Sequence, residues 1–445
     1  MSQSSHTLSA EPVQYTLFTR VFGGIDSPEL KKKLESSLKD LIAPIERIFL
    51  NDAAATAAIE RACVPQKAAS FVSFSSDPVH MKRWELSADI RVIKPNLPGR
   101  PGIVEANLQS LTRDFGACVA IPLLYGSDFL NRYPELLDDF WKFDNDLFPL
   151  LMIGIPPWAP FKMVKEGRAA RARILGEMEA LYRRIDQYQR GVPVDFGADM
   201  SDVSSAPFER NKVYKREGWS FAERGTGDFA ILWGQNANTR PVLFWFLAYV
   251  YSTPSLLDRL REEIAPHVHL SEASLPEITS MDLPALSMNC QLLKACIFET
   301  YRMVNEPTSI RYVARPITID DGEFKHELKP GMFVSAPHAL INQDPTVFAH
   351  PEEFDPDRFL EIRSRFRQTN GSVWQIKTVG YGGFDVQRTH ICRKRDSLFG
   401  SSDHLSLGYC PREWNLGVTR YDTRNWGKEA GEGYRCSDHT EKSVN

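Results

Sequence analysis

The chain has 445 residues, 42% hydrophobic and 25% charged, the balance of a globular protein with a sizeable core. A formal net charge of -4 gives no electrostatic ground for a nucleic-acid partner, so none is expected. Seven cysteines (Cys63, Cys118, Cys290, Cys296, Cys392, Cys410 and Cys436) form no Cys-x-x-Cys pair and no Cys/His metal spacing, which argues against a structural zinc and a secreted disulfide framework.

Met1 to Val13 is Ser/Thr-rich without an apolar core, so it reads as neither signal peptide nor anchor. Glu29 to Phe49 places Leu30, Leu34, Leu38 and Leu41 on one face with lysines opposite, which predicts an amphipathic helix. Ala53 to Ala62 is alanine-rich and predicted helical. Tyr133 to Leu151 has aromatics and leucines at helical spacing, and Pro156-Pro157 stops that run. A long helix is predicted from Phe161 to Gln189. Its basic cluster of Lys165, Arg168, Arg171 and Arg173 reads as a solvated face rather than a membrane contact.

Val192 to Trp219 reads as a loop region, followed by one long helix around 222–252. Within that helix the apolar stretch from Phe229 to Tyr251 is interrupted by Gln235, Asn236, Asn238, Arg240 and Pro241. It is too polar for a lipid-exposed span and reads as a buried core helix. A turn at Thr253-Pro254 precedes a charged helix from Ser255 to Ile264. Leu283 to Met303 is another helix, with an interruption placed near Pro284. The period then changes: Ser309 to Asp320 is β-branched, and Met332 to Ala336 reads as a strand after Lys329-Pro330-Gly331. No internal repeat is present, and regular apolar periodicity stops after Gly383.

Glu299 and Arg302 stand at i,i+3 on one helix face. Such a pair is worth only about 0.3–0.5 kcal/mol when exposed. Downstream comes an ordered string: His338, Asn342, Asp344-Pro345, Phe348, Pro351, Phe354, Pro356, Arg358 and Phe359. An arginine in so rigid a loop is placed to lock Arg358 onto Glu299 as a buried three-member network. Buried charges of this kind persist only when fully paired.

Glu299-Thr300-Tyr301-Arg302 and Phe354-Asp355-Pro356-Asp357-Arg358-Phe359 together resemble the cytochrome P450 family of haem-thiolate enzymes, whose E-x-x-R and F-x-P-x-R-F elements clasp the structure behind the haem. The resemblance runs from about Tyr15 to Gly383. It implies a mainly α fold with small β-sheets, the cytochrome P450 fold, incomplete at both ends. Residues 1–383 would form the P450-like domain without the family's anchor and first sheet, and 384–445 an aberrant, disordered segment.

The resemblance also implies site residues. Arg311, just after the Glu299 helix, would pair with a haem propionate, as a guanidinium fork suits a carboxylate. The helix from Asp228 to Ser252 would cross the distal face of the haem. The run Gly234-Gln235-Asn236-Ala237-Asn238-Thr239 puts Ala237 at the family's acid position and Asn238, with Thr239 beside it, at the alcohol position. This is similar to the branch containing sterol 7α- and 12α-hydroxylases and prostacyclin synthase. An amide holds a water or donates to bound oxygen, yet it cannot deliver a proton as an acid does.

The cysteine loop departs further. With Tyr381 of Gly380-Tyr381-Gly382-Gly383 at the aromatic position, Phe384 stands where glycine belongs and Arg388 where the thiolate belongs, and a guanidinium cannot ligate iron. Cys392 lies four residues late. Cys410, followed by Pro411 and Arg412, is the better match but needs an insertion of 22 residues relative to Arg388. Two accounts stand: a divergent loop with Cys410 or Cys392 on iron, or a frame change or unspliced intron after Gly383.

The expected activity is a haem-thiolate monooxygenase using haem b, dioxygen and electrons from an NADPH-dependent reductase to hydroxylate a small lipophilic substrate, sterol-like or fatty-acid-like. Full-length relatives of this type are membrane-anchored in the endoplasmic reticulum, whereas a chain without the anchor would be cytosolic. The alternatives are a haem-thiolate isomerase acting on a peroxide and an inactive remnant lacking the haem ligand.

Overall fold

The computed structural model describes residues 6–360, apart from 96, 98–101, 273–276, 305, 306 and 321, together with short strands at 406–408 and 419–422. The loop pattern singled out at Gly380 to Arg388, together with Cys392 and Cys410, lies outside the described residues.

Helices dominate. In chain order they are α1 (Glu11–Thr16), α2 (Pro28–Leu50), α3 (Asp52–Arg61), α4 (Val64–Ala69), α5 (Leu108–Tyr125), α6 (Ser127–Arg132), α7 (Leu136–Lys142), α8 (Phe148–Met152), α9 (Lys162–Gln189), α10 (Ser205–Arg216), α11 (Phe221–Ala237), α12 (Thr239–Ser252), α13 (Leu256–Ile264), α14 (Leu283–Asn289), α15 (Gln291–Val304) and α16 (His338–Asn342). The strands are β1 (Leu8–Ser9), β2 (Arg91–Lys94), β3 (Ile103–Ala106), β4 (Val268–Leu270), β5 (Ile278–Met281), β6 (Pro307–Val313), β7 (Ile317–Asp320), β8 (Lys325–Leu328), β9 (Phe333–Pro337), β10 (Ser406–Gly408) and β11 (Thr419–Asp422).

β6 is the central strand of the largest sheet. β9 pairs along one edge in antiparallel register, Arg311 opposite Val334, while β1 and β10 share the other edge. The turn into β9 requires Gly331, whose φ of 95° is disfavoured for residues with a Cβ, and its N–H donates to Val313 O at 3.0 Å. β11 pairs with β3, β4 with β5 and β7 with β8.

The main core gathers α2, α5, α7, α9, α10 and α11, with α11 packed along α9. The predicted α2 and α9 emerge nearly to the residue, because each buries a clean apolar stripe such as Leu30, Leu34 and Leu41.

Four expectations are corrected. Val192 to Trp219 is not all loop, since it holds α10. The buried face of α10 carries Arg210 and Asn211 beside Ala206 and Tyr214, so no apolar period marks it in the sequence. The run from Tyr133 is not one regular helix. Tyr133 is held at φ -118°, ψ 83° before Pro134, and α7 and α8 are joined through a wide π turn at Phe143–Leu147. Pro284 does not interrupt a helix. It occupies the first turn of α14, capped by Asp282 Oδ1 on Ala285 N at 2.9 Å, and the break comes at Cys290. The predicted helix at 222–252 is two helices meeting at Asn238. Its first half is buried, but in α12 only Phe244 and Val250 are.

Candidate active site

α15 begins where Glu263 of α13 reaches over to accept Leu292 N at 2.8 Å and Leu293 N at 2.9 Å. An acid on the free N–H groups of a first turn satisfies orphan donors and complements the helix dipole. The helix then presents Glu299, fully buried, to the interior. Arg302, one turn on, donates Nε to Glu299 Oε2 and Nη2 to Glu299 Oε1, both at 2.7 Å. Its remaining N–H groups go to the carbonyls of Asn342, Pro351 and Glu353 at 2.8, 2.7 and 3.2 Å. All five guanidinium donors are therefore used.

Arg358 completes the network. Its Nε donates to Glu299 Oε1 at 3.0 Å, and its Nη1 donates to Ala349 O at 2.7 Å. Asp355 N donates to the same carboxylate oxygen at 3.0 Å. Glu299 and Arg302 together thus gather the loop from Asn342 to Arg358 onto α15. Phe348 and Phe359 pack with Ala295 beneath it, Arg259 pairs with Asp357 at 2.6 Å, and Phe354 stacks on Tyr249 of α12 at 4.4 Å.

The helix α12 packs against both α5 and α15. Its start is dictated by Pro241, which has no N–H for the Ala237 carbonyl and whose ring crowds that oxygen. The helical hydrogen-bond ladder is interrupted at Asn238, whose φ of -77° and ψ of -32° stay helical, and Thr239 Oγ1 turns back to donate to Gln235 O at 2.7 Å. Asn238 and Thr239 are both half-buried. Two neighbours escaped sequence reasoning, although the polar interruption of an apolar run marked their place. Gln235 donates Nε2 to Ala120 O at 2.7 Å, and Asn236 donates Nδ2 to Leu232 O at 2.8 Å. Their side-chain oxygens are buried without a hydrogen bond among the described residues, leaving two acceptors beside the break.

Arg311 lies on β6 and is 4% exposed, with Nη1 donating to Ile310 O at 2.9 Å. Glu299, Arg302 and Arg358 are thus in one network, Asn238 and Thr239 lie at the break of a helix packed on α15, and Arg311 is on the strand following α15.

Residues 229–373 match the family model of cytochrome P450. Cytochrome P450 7B1 of Mus musculus is 28% identical over 229 residues, covering 51% of this chain and 41% of that protein. The 25-hydroxycholesterol 7-alpha-hydroxylase of Rattus norvegicus is 28% identical over 229 residues, 51% of each chain. The 5-beta-cholestane-3-alpha,7-alpha-diol 12-alpha-hydroxylase of Sus scrofa is 26% identical over 230 residues, 51% of this chain and 42% of that protein. The chain therefore spans about half the length of the curated relatives it matches. Among solved structures, a retinoic acid-bound cyanobacterial CYP120A1 superposes with a TM-score of 0.50 at 16% identity, covering 81% of this chain and 68% of that one, a likeness of fold.

Proposed function

We propose, on the premise that this chain belongs to the cytochrome P450 family, that it is a haem-thiolate monooxygenase hydroxylating a lipophilic, sterol-like or fatty-acid-like substrate. The observation that carries the proposal is the saturated network of Glu299, Arg302 and Arg358, within the segment 229–373 matched by the family model.

The residues present fit a haem. Val242, Leu243, Trp245 and Leu247 of α12 are left only half-buried, an apolar surface suited to a flat macrocycle. Arg311 is the cation assigned to a propionate. Haem iron, when bound, supplies the oxygen-activating redox chemistry. The described cysteines are poor thiolate donors. Burial pushes the Cys118 thiol up to about 11 and that of Cys296 up to about 12, and it raises that of Cys290 as well. Cys63 is exposed at the N-terminal edge of α4. Cys410 would supply the thiolate that holds the haem iron, with Cys392 as second candidate.

Asn238 and Thr239 would face dioxygen bound at the haem. Thr239 spends its proton on Gln235 O, so its oxygen lone pairs face outward as acceptors. Ala237 offers no acid, and the Asn238 amide orients a partner without yielding a proton. That same gap favours the second reading, a peroxide isomerase that needs no proton relay and no reductase. No helix among the described residues is long and apolar enough to cross a membrane. Residence at the endoplasmic reticulum membrane and electron supply by an NADPH-dependent reductase belong to the proposal.

The test is to purify the chain with haem, reduce it, add carbon monoxide and record the Soret band. A red-shifted thiolate band that Cys410→Ala abolishes supports the assignment, and loss with Cys392→Ala alone moves it to Cys392. Substrate hydroxylation that needs the reductase supports the monooxygenase, whereas hydroperoxide turnover without it selects the isomerase. Failure to incorporate haem defeats both and leaves the inactive remnant.

A further inference from the structure

The basic cluster of α9 is not one solvated face. Arg173 pairs with Asp139 at 2.5 Å, and Lys165 and Arg168 are exposed, but Arg171 falls on the helix face that buries Val164, Gly167, Ile174 and Met178. Its Nη1 donates to Val21 O at 2.7 Å and to Arg20 O at 3.4 Å, carbonyls at the end of the π turn Leu17–Val21. The Nε and Nη2 edge is left with no hydrogen bond among the described residues, and neither atom is sealed from solvent. Gly23 keeps that edge clear, since a Cβ there would sit against Nε at 3.5 Å.

This guanidinium lacks a counter-charge. Burial lowers the Arg171 pKa from its usual value, and the charge acting beside it is the Arg168 guanidinium, one turn back, rather than a carboxylate. Arg20, whose Nη2 donates to Gly154 O at 2.9 Å, forms no ion pair among the described residues either. Glu166, an acid of the same helix, is already held by Lys142 at 2.9 Å and Lys162 at 3.7 Å. A partly buried guanidinium beside a second one is unfavourable until an anion joins them. The parallel Nε–H and Nη2–H groups match two oxygens of one anion, and the uncompensated cations favour a doubly charged one. We propose that Arg171 and Arg168, flanked by Arg20, bind a phosphate monoester dianion, the Nε and Nη2 edge of Arg171 taking two of its oxygens. The site belongs to α9 and the turn at Gly23 and goes beyond the haem assignment, so either can fail alone.

The full chain, isotopically labelled at its arginine nitrogens, is titrated with inorganic phosphate at fixed ionic strength, with chloride as control. The Arg171 Nε–H resonance is identified by its loss in Arg171→Lys, which keeps the charge but lacks the fork. The expected result is a saturable shift of that resonance with phosphate and none with chloride. By calorimetry, Arg171→Lys should weaken phosphate binding about tenfold. Arg168→Gln, at an exposed position, should weaken it about threefold, and it carries the test should Arg171→Lys lose its folded spectrum. Flotation with phosphatidylcholine vesicles, with and without phosphatidic acid, separates two sources of the same chemistry. Retention only with phosphatidic acid, lost in the variants, assigns a lipid headgroup, whereas phosphate binding without retention assigns a free phosphate monoester. A shift that does not saturate, an equal shift with chloride, or phosphate binding unchanged in the folded variants would overturn the proposal.

Discussion

Arg358 Nε donates to Glu299 Oε1 at 3.0 Å across a separation of 59 residues. The same oxygen accepts Arg302 Nη2 at 2.7 Å and Asp355 N at 3.0 Å, so one buried atom holds a helix, a loop and two guanidinium groups. Glu299→Ala strands Arg302, which has no exposed side-chain surface, and should destabilise the fold by about 3–5 kcal/mol. Arg358→Ala should cost less, because that side chain is 11% exposed and leaves the Arg302 pair intact. Urea unfolding of both variants checks the order; equal losses would contradict it.

Asp228 on α11 plays a similar part, accepting Arg210, Tyr214 and the Tyr125 hydroxyl, the last at 3.1 Å. Both charges of the pair are almost wholly buried. Asp228→Asn should therefore destabilise by about 3–5 kcal/mol, while the apolar double variant Arg210→Met with Asp228→Leu should recover most of the loss. A double variant no more stable than Asp228→Asn would show that the pair does more than neutralise itself.

Pro241 sets the break at Asn238. Pro241→Ala returns an N–H to the Ala237 carbonyl and removes a ring worth up to about 3 kcal/mol in a helix interior. The expected outcome is a continuous α11–α12 with slower amide exchange across residues 238–241. Unchanged exchange would place the cause of the break elsewhere.

Glu177 on α9 gives a pH dependence. Burial first, then the Asp139 carboxylate, raises its carboxyl from 4.5 to about 7, with Arg173 opposing, and its Oε2 has no partner among the described residues. Between those values the folded chain holds a proton that the unfolded chain has released, so stability falls as pH rises through the window and the loss is complete above it. Glu177→Gln should raise the melting temperature over the native chain more at pH 8 than at pH 5. A difference independent of pH would refute this.

Much of the fold was legible residue by residue. The leucine stripe of α2, the Pro330-Gly331 turn and the spacing of Glu299, Arg302 and Arg358 are local patterns whose physics acts along the chain itself. Other elements were hidden for an identifiable reason. α10 buries Arg210 and Asn211, charged and polar residues that erase the apolar period, and their partners Asp228 and Gln189 come from other helices. Pro241 was visible in the sequence, yet it stood within an apolar run whose periodicity suggested one helix.

The amino-acid sequence by itself determined that a carboxylate and two arginines would form a clasp, because helical spacing and a proline-rich loop constrain them wherever the rest of the chain lies. Tertiary structure alone decided what that clasp grips: three loop carbonyls on Arg302 and the Asp355 amide on Glu299. It also decided that Trp219 would be buried against Phe18 with its indole N–H unpartnered among the described residues. Such pairings join segments far apart in the chain, and closing that distance depends on how whole helices pack, which no local pattern encodes.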